Sequence, residues 1–290
     1  MTGTGAALAA VVIAVPQPRW SNDRQALPGL PGAERDGQNW RRVLGGVVSN
    51  APEPHANHAT VERDLTAAIR SLRPCGRLVV TFAGHGIAYP LTDARGEATI
   101  GYDQAVVVDD GPILNGLFGQ MWRLRPDIEV LAIIDACHSA DAIVRLATDR
   151  TRPAENDLGL PLSDPCPGTL SPAAGSRSAR PRAQMTNAAP ARFPTSTQRW
   201  EIPAAKLLHV ASSAADQRAR ETPDGGYFTT ALLAKLQYSA CRASIRTWLT
   251  ETAQRLAQTE PVAQTQTMNV TYVGPGTDVL TFLDSAVGFG

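Results

Sequence analysis

The residues of this 290-residue chain best suited to covalent chemistry stand together in LAIIDACHSADA, residues 131–142. An apolar run ends at an acid, Asp135, and is followed by a thiol, Cys137, an imidazole, His138, and a hydroxyl, Ser139. A buried strand gains nothing from reactive groups at its end, so the arrangement reads as a strand that presents a nucleophile. A thiol at neutral pH needs a base beside it to attack, and the base usually comes from a distant part of the chain. TFAGHGIA, residues 81–88, supplies a candidate. There a second apolar run ends in Gly84-His85-Gly86, and the flanking glycines let the backbone turn while leaving the imidazole open. If the two runs are neighbouring parallel strands, His85 and Cys137 both lie at carboxyl ends, where open α/β sheets form their ligand crevice. His138 is the weaker candidate for the base, because consecutive side chains at a strand end diverge. It reads as a structural hydrogen-bonding residue.

The elements that must hold these groups are legible in the hydrophobic pattern. Short runs rich in β-branched residues recur at AAVVIAV (9–15), RLVVTFAG (77–84), IEVLAIID (128–135) and KLLHVASS (206–213). They are continuous rather than alternating, as in parallel strands covered on both faces. Residues 34–46 carry Trp40, Val43 and Leu44 at helical spacing, residues 61–72 carry Leu65, Ile69 and Leu72, and 227–237 and 245–258 read as two further helices. Strand alternating with helix predicts an α/β chain built on βαβ units. Residues 151–200 break the pattern: they are dense in Pro, Ala, Ser and Arg and show no apolar period, which reads as a flexible linker. They separate a larger part, 1–150, from a smaller one, 201–290, and the two parts are expected to complete one sheet. No internal repeat is evident.

Composition narrows the function classes. A formal net charge of zero with scattered basic residues argues against a nucleic-acid surface or a polybasic membrane patch as the main partner. Lys206 and Lys235 are the only lysines, so almost all positive charge is arginine. Four cysteines without a CxxC pair suggest neither a zinc site nor a disulfide framework, and fit a reduced, cytoplasmic protein. Cys75, Cys166 and Cys241 read as buried, inert thiols. The apolar stretch 5–15 lacks a basic flank and is too short to span a bilayer, so it reads as a first buried strand. No GxSxG elbow is present, which sets aside a serine α/β-hydrolase.

A His-Gly at one strand end, followed by Asp-Ala-Cys-His-Ser beginning 50 residues on from His85, resembles the caspase-like cysteine peptidases of clan CD (peptidase C14). Within that group the chain is similar to the bacterial metacaspase, or orthocaspase, type. GAERDGQNWRRVL (32–44) resembles the family's first-helix motif and YDQAVVVDD (102–110) its acidic loop after the histidine. ASSAADQRARE (211–221) and GYFTTALL (226–233) resemble its small-subunit motifs. The resemblance implies a three-layer α-β-α sandwich around a mostly parallel sheet of about six strands. It also implies that 1–150 and 201–290 are large- and small-subunit-like parts of one catalytic domain.

Carried over by position, Cys137 is the nucleophile and His85 the general base, with no third member assigned. The backbone amides of Gly86 and Cys137 would hold the oxyanion. Where an aspartate-selective caspase has Gln two residues before the cysteine, this chain has Asp135, and Asp36 and Asp216 match further acids of the metacaspase pocket. Three carboxylates around one slot call for a cation, so cleavage after Arg, then Lys, is expected. Arg152, Arg177, Arg180, Arg182 and Arg192 then make the linker a substrate of the chain's own specificity. Self-processing there stands beside the plainer reading of a tolerated insertion. Asp103, Asp109 and Asp110 offer hard oxygen ligands of the kind calcium takes, but Gln104 interrupts the match; a solvated acidic loop is the preferred reading and no cofactor is required. Ala140 and Ala83 depart from a common Gly and Ser of the family without removing an essential group. The expected partners are protein or peptide substrates, with a separate activator left open, and the expected state is a monomer. The alternative from another class is a catalytically idle caspase-like sensor or scaffold.

Overall fold

The computed structural model describes residues 5–22, 25–92, 98–114, 118, 124–125, 127–139, 206–213, 217–238, 243–259, 266–273 and 282–287. In chain order they form β1 (Ala6–Val15), β2 (Ser21–Asn22), β3 (Gln25–Ala26), α1 (Pro31–Leu44), α2 (His58–Ser71), β4 (Leu72–Gly84), β5 (Gly86–Thr92), β6 (Ala98–Val108) and β7 (Gly111–Leu114). There follow β8 (Glu129–Asp135), β9 (Lys206–Ala211), β10 (Glu221–Thr222), β11 (Gly225–Gly226), α3 (Tyr227–Tyr238), α4 (Ile245–Ala257) and β12 (Asn269–Val273).

Among the described residues the central sheet has five strands in the order β1-β4-β8-β9-β12. The first four run parallel and β12 closes the edge antiparallel to β9. The four apolar runs are therefore its parallel strands, and each carries two sets of buried side chains. Val11, Ile13 and Val15 of β1, Leu78, Val80 and Phe82 of β4, and Val130, Ala132 and Ile134 of β8 pack into one core. Val61, Leu65, Ala68 and Ile69 of α2 cover that face. The intervening residues Ala10, Val12, Val79, Leu131 and Ile133 face the other way, onto Trp40 and Leu44 of α1, Phe228 and Leu232 of α3, and Trp248 and Leu249 of α4. Such a two-period split is what a sheet covered on both faces requires. Each fully buried aliphatic side chain contributes about 1.5–3 kcal/mol of transfer free energy.

Helix boundaries follow local chemistry. Asn57 and Thr60 form a reciprocal capping box at the start of α2, with Thr60 N–H donating to Asn57 Oδ1 at 2.9 Å and Asn57 N–H to Thr60 Oγ1 at 2.8 Å. Ser244 accepts from Thr247 N–H at the start of α4. The first helix begins at Pro31, ahead of the expected residue 34, because proline is tolerated in the first turn where its missing N–H is not needed. Leu72, expected within the helix, is instead the residue that caps α2 at its C-terminus and opens β4.

The largest difference from the sequence reading is a second sheet. β5, β6 and β7 form an antiparallel meander, and residues 102–108, expected as part of an acidic loop, are strand β6. Val106, Val108 and Ile113 bury themselves in the α2-side core, which is why this segment is strand. Only Asp109 and Asp110 lie at its turn. Residues 140–205, with the expected linker and Cys166, lie outside the described residues, as does Cys241. β8, which precedes that stretch, and β9, which follows it, are hydrogen-bonded neighbours.

Candidate active site

Parallel pairing of β4 and β8 runs in register from Arg77↔Glu129 to Ala83↔Asp135. His85 and Cys137 each lie two residues beyond that last pair, so one register sets both at the same carboxyl edge of the sheet. The backbones meet there as well: a Cβ added at Gly86 would overlap the Cys137 carbonyl oxygen, and only glycine allows the approach. The His85 carbonyl accepts from Val107 N–H at 2.9 Å, which fixes the start of β5 against β6.

The orientation of the imidazole is set by a group that the sequence reading did not anticipate. His85 Nε2 lies 2.7 Å from the carbonyl oxygen of Pro28, in the segment between β3 and α1. A carbonyl can only accept, so Nε2 carries the hydrogen and Nδ1 keeps the lone pair. Burial lowers the His85 pKa below its ordinary 6.5, an effect that the Pro28 bond partly offsets. The ring is therefore neutral at neutral pH and able to take up a proton. The Cys137 thiol is half-buried, with Sγ 3.8 Å from the Ala219 carbonyl oxygen. Burial pushes its pKa above the ordinary value, against a smaller opposing pull from the Ala219 bond and the Arg218 charge. Both shifts oppose a resting thiolate–imidazolium pair.

The loop that carries Cys137 is held by hydroxyls. Ser212 Oγ accepts from Ala136 N–H and donates to Ala136 O, both at 3.1 Å, and Ser213 Oγ donates to Ala136 O at 2.9 Å. Ser139 Oγ lies 3.4 Å from Ser213 Oγ. His138 has a left-handed backbone, φ +53°, and its N–H donates to Gln217 O at 3.1 Å. The loop end at β9 thus positions the residue expected to attack.

Behind the thiol lies a group of buried acids. Asp36, on the second turn of α1, is 2% exposed and Asp135, at the end of β8, 7%. Asp135 Oδ2 accepts from Thr229 Oγ1 at 2.8 Å and Thr229 N–H at 3.2 Å. Asp36 Oδ2 accepts from Gly226 N–H at 2.9 Å, whereas Asp36 Oδ1 is buried without a partner among the described residues. The two carboxyl groups converge on Gly226, where an added Cβ would meet Asp135 Oδ2 and lie 2.9 Å from Asp36 Oδ2. Burial, reinforced by the charge of Asp135, pushes Asp36 up to about 9, and burial raises Asp135 as well.

A third acid is Glu221 on β10, which the sequence reading passed over. Its carboxylate accepts from the backbone N–H groups of Gly32 and Ala33 in the first turn of α1. It thereby supplies the cap that Leu30 cannot, and its negative charge suits a helix N-terminus. Burial, with help from Asp135, raises its pKa. An isolated glutamate in a Gly- and Pro-rich stretch carries no local signal of this role. Its position follows from the contact of β10 and β11 with α1.

The remaining expected residues fall elsewhere or outside the described set. Asp216 and the linker arginines Arg152, Arg177, Arg180, Arg182 and Arg192 lie outside the described residues, as does the Asp103 side chain. Asp109 Oδ1 accepts from Arg19 N–H at 2.9 Å and lies 3.3 Å from His55 Nδ1. Asp110 Oδ1 takes His58 N–H at 3.0 Å and lies 2.7 Å from His58 Nδ1. Burial works against the Asp110 charge, but the His58 contacts hold its carboxyl below the usual range. Both acids therefore pin neighbouring segments to the β6–β7 turn, and a cation there would have to displace these donors. Among the described residues, no group of three or more metal-ligating side chains is assembled. Cys75 is exposed, with φ +57°, and so is not the buried thiol expected: it sits in a bend of β4 whose N–H bonds Asp127 O.

A mostly parallel sheet flanked by helices, with a thiol and an imidazole at adjacent strand ends, is the architecture of caspase-like peptidases. The sequence matches the caspase domain over residues 20–274, and the chain belongs to that family of cysteine peptidases. Among solved structures it is similar to a protein of Geobacter sulfurreducens at 17% identity, covering 96% of this chain and 97% of that one with a TM-score of 0.66. It is also similar to caspase-1 of Spodoptera frugiperda at 16% identity, covering 100% and 92% with a TM-score of 0.54. At these identities the likeness shows the fold alone. A comparison with curated proteins gives no match. No helix among the described residues is long and apolar enough to cross a membrane.

Proposed function

We propose that the chain is a cysteine endopeptidase of the metacaspase type that cleaves after Arg and, less well, after Lys. The observation that carries this reading is the convergence of Asp36 and Asp135 on Gly226 beside the Cys137 loop. Two carboxylates buried side by side cost free energy that a paired cation recovers, and a planar guanidinium can bond both. Cys137 is the nucleophile in this reading. His85 Nδ1 takes the thiol proton as sulfur attacks the scissile carbonyl carbon, then returns it to the leaving amine. The Pro28 carbonyl holds the imidazole in the tautomer that this step requires and stabilises the imidazolium as it forms.

The amides of Gly86 and Cys137 are the proposed oxyanion donors. Because His85 O bonds Val107 N–H, the alternation of an antiparallel ladder turns the Gly86 N–H away from β6. Water then hydrolyses the thioester. Hydrolysis of short fluorogenic peptides ending in Arg, Lys or Asp tests the reading, with and without calcium. Release from the Arg peptide is expected without added metal, Lys second, with no turnover of the Asp peptide. Cleavage after Asp would remove the basic-pocket reading and leave the dyad; no cleavage of any peptide would favour a partner-activated zymogen or an idle module.

Arg177, Arg180, Arg182 and Arg192 of the linker are proposed self-cleavage sites. Purified wild-type protein is expected to resolve into two fragments joined near residues 177–192, and the Cys137→Ala protein to stay whole. Fragmentation of that variant would assign the cut to another protease. A further expectation concerns Gly226. Its Cβ would push the Asp36 and Asp135 oxygens apart, and such overpacking costs about 1–3 kcal/mol. Gly226→Ala is therefore expected to raise KM for Arg peptides by roughly tenfold or more while leaving the rate of Cys137 alkylation by iodoacetamide unchanged. An unaltered KM would place the substrate's basic side chain elsewhere.

A further inference from the structure

The acid recess has an internal inconsistency unless a proton is present, and the donors around each carboxyl group say where it resides. Asp135 is supplied by both Thr229 N–H and Thr229 Oγ1, two donors on one carboxylate. Asp36 receives the Gly226 N–H on one oxygen, and its other oxygen, buried, meets no donor among the described residues. A buried carboxylate oxygen without a donor is costly, and protonation converts it to a neutral hydroxyl. The charged groups facing Asp36 among the described residues add to the cost, since Asp135 on β8 and Glu221 on β10 are both acids. β11 and α3 contribute the Gly226 N–H and the Thr230 hydroxyl beside Gly225, but no cation; Arg218 acts on the Cys137 thiol.

We propose that the Asp36–Asp135 pair holds one proton, carried on Asp36, when the recess is empty, and that a guanidinium entering the recess expels it. Recognition of the basic side chain is then an exchange of a proton for a cation. The exchange balances. Before binding, the pair carries one negative charge, on Asp135. Afterwards two carboxylates face one guanidinium, again with one net negative charge, and the proton has passed from Asp36 Oδ1 to water. The guanidinium provides the donor that Asp36 Oδ1 lacks. A neutral side chain of the same shape offers no charge to replace the proton and leaves Asp36 protonated. The inference rests on the basic-pocket reading and adds a consequence to it: affinity for the basic side chain rises with pH.

The height to which Asp36 is pushed, about 9, supports the exchange across the neutral range. Affinity for a guanidinium is then expected to increase by about tenfold per pH unit below that value. The test is calorimetric titration of the Cys137→Ala protein with n-butylguanidine between pH 7.0 and 8.5. This range lies above the lowered His85 titration and is free of the thiol. An increase of about 25-fold over the range, with about one proton released per guanidinium in buffers of different ionisation heat, is the expected result. Binding without proton release and with pH-independent affinity would overturn the exchange while leaving the basic pocket in place. Failure of n-butylguanidine to bind at any pH would overturn both. Asp36→Asn is expected to abolish proton release. Asp135→Asn, which leaves Asp36 without its charged neighbour, is expected to reduce the pH dependence. Proton release persisting in full in both variants would assign it to other groups and sink the proposal.

Discussion

Cys137→Ala protein is expected to show no hydrolysis of Arg peptides above background, and His85→Ala to lose about 10²–10⁴-fold in kcat/KM. The two losses have different shapes because the two groups do different work. Without sulfur there is no acyl intermediate at all. Without the imidazole, the thiol persists but ionises poorly, because burial holds its pKa above the ordinary value. Raising the pH should therefore recover part of the His85→Ala activity and none of the Cys137→Ala activity. Wild-type kcat, read at saturating Arg peptide where the pocket proton is already displaced, should rise through an acid limb whose midpoint lies below 6.5, since burial lowers His85 and its neutral form is the base. A kcat limb centred well above 6.5 would instead mean that the base is not the buried, neutral His85 imidazole. If His85→Ala kept more than a tenth of wild-type kcat/KM at neutral pH, the dyad assignment would fail.

The same two residues show what could be read before any coordinates existed. His85 and Cys137 were legible because each terminates a continuous apolar run, and parallel neighbours must end on one side of the sheet. The register Ala83↔Asp135 turns that argument into a shared position for the two residues. Pro28 was not legible, because its contribution is a main-chain carbonyl that any residue possesses. Only tertiary packing determines which carbonyl meets the imidazole. Glu221 was hidden for a related reason: its partners are the backbone amides of α1, nearly 190 residues earlier in the chain.

The second sheet was missed because the acids of residues 102–110 drew attention to their charge. The alternation of that segment places Val106 and Val108 inward, and a strand is the only element that buries both while leaving Asp109 and Asp110 at a turn. Asp109 and Asp110 had been weighed as metal ligands, yet the nearby Arg19, His55 and His58 give them partners drawn from three other segments. Cys75 was assigned to the interior on residue type alone. Its left-handed backbone in the bend of β4 turns it outward instead.

The pocket acids were read by position, and Asp135→Asn gives them their most demanding test. Asparagine has nearly the shape of aspartate, and its carbonyl oxygen can accept both Thr229 bonds that Asp135 Oδ2 now receives at 2.8 and 3.2 Å. What the substitution removes is the charge. Breaking a buried ion pair by removing one partner costs about 3–5 kcal/mol, so kcat/KM for Arg peptides is expected to fall by about two to more than three orders of magnitude. Stability should move the other way or not at all, because Asp135 is a desolvated acid, and making it neutral removes the cost of burying its charge. The Tm of the variant is therefore expected to equal or exceed that of wild type, and reaction of Cys137 with iodoacetamide to stay near the wild-type rate. A large fall in Tm would mean that Asp135 holds the fold together rather than the substrate. Full retention of Arg-peptide hydrolysis in a stable Asp135→Asn protein would mean that the guanidinium never meets this carboxylate, and the specificity argument built on the two converging acids would fail with it.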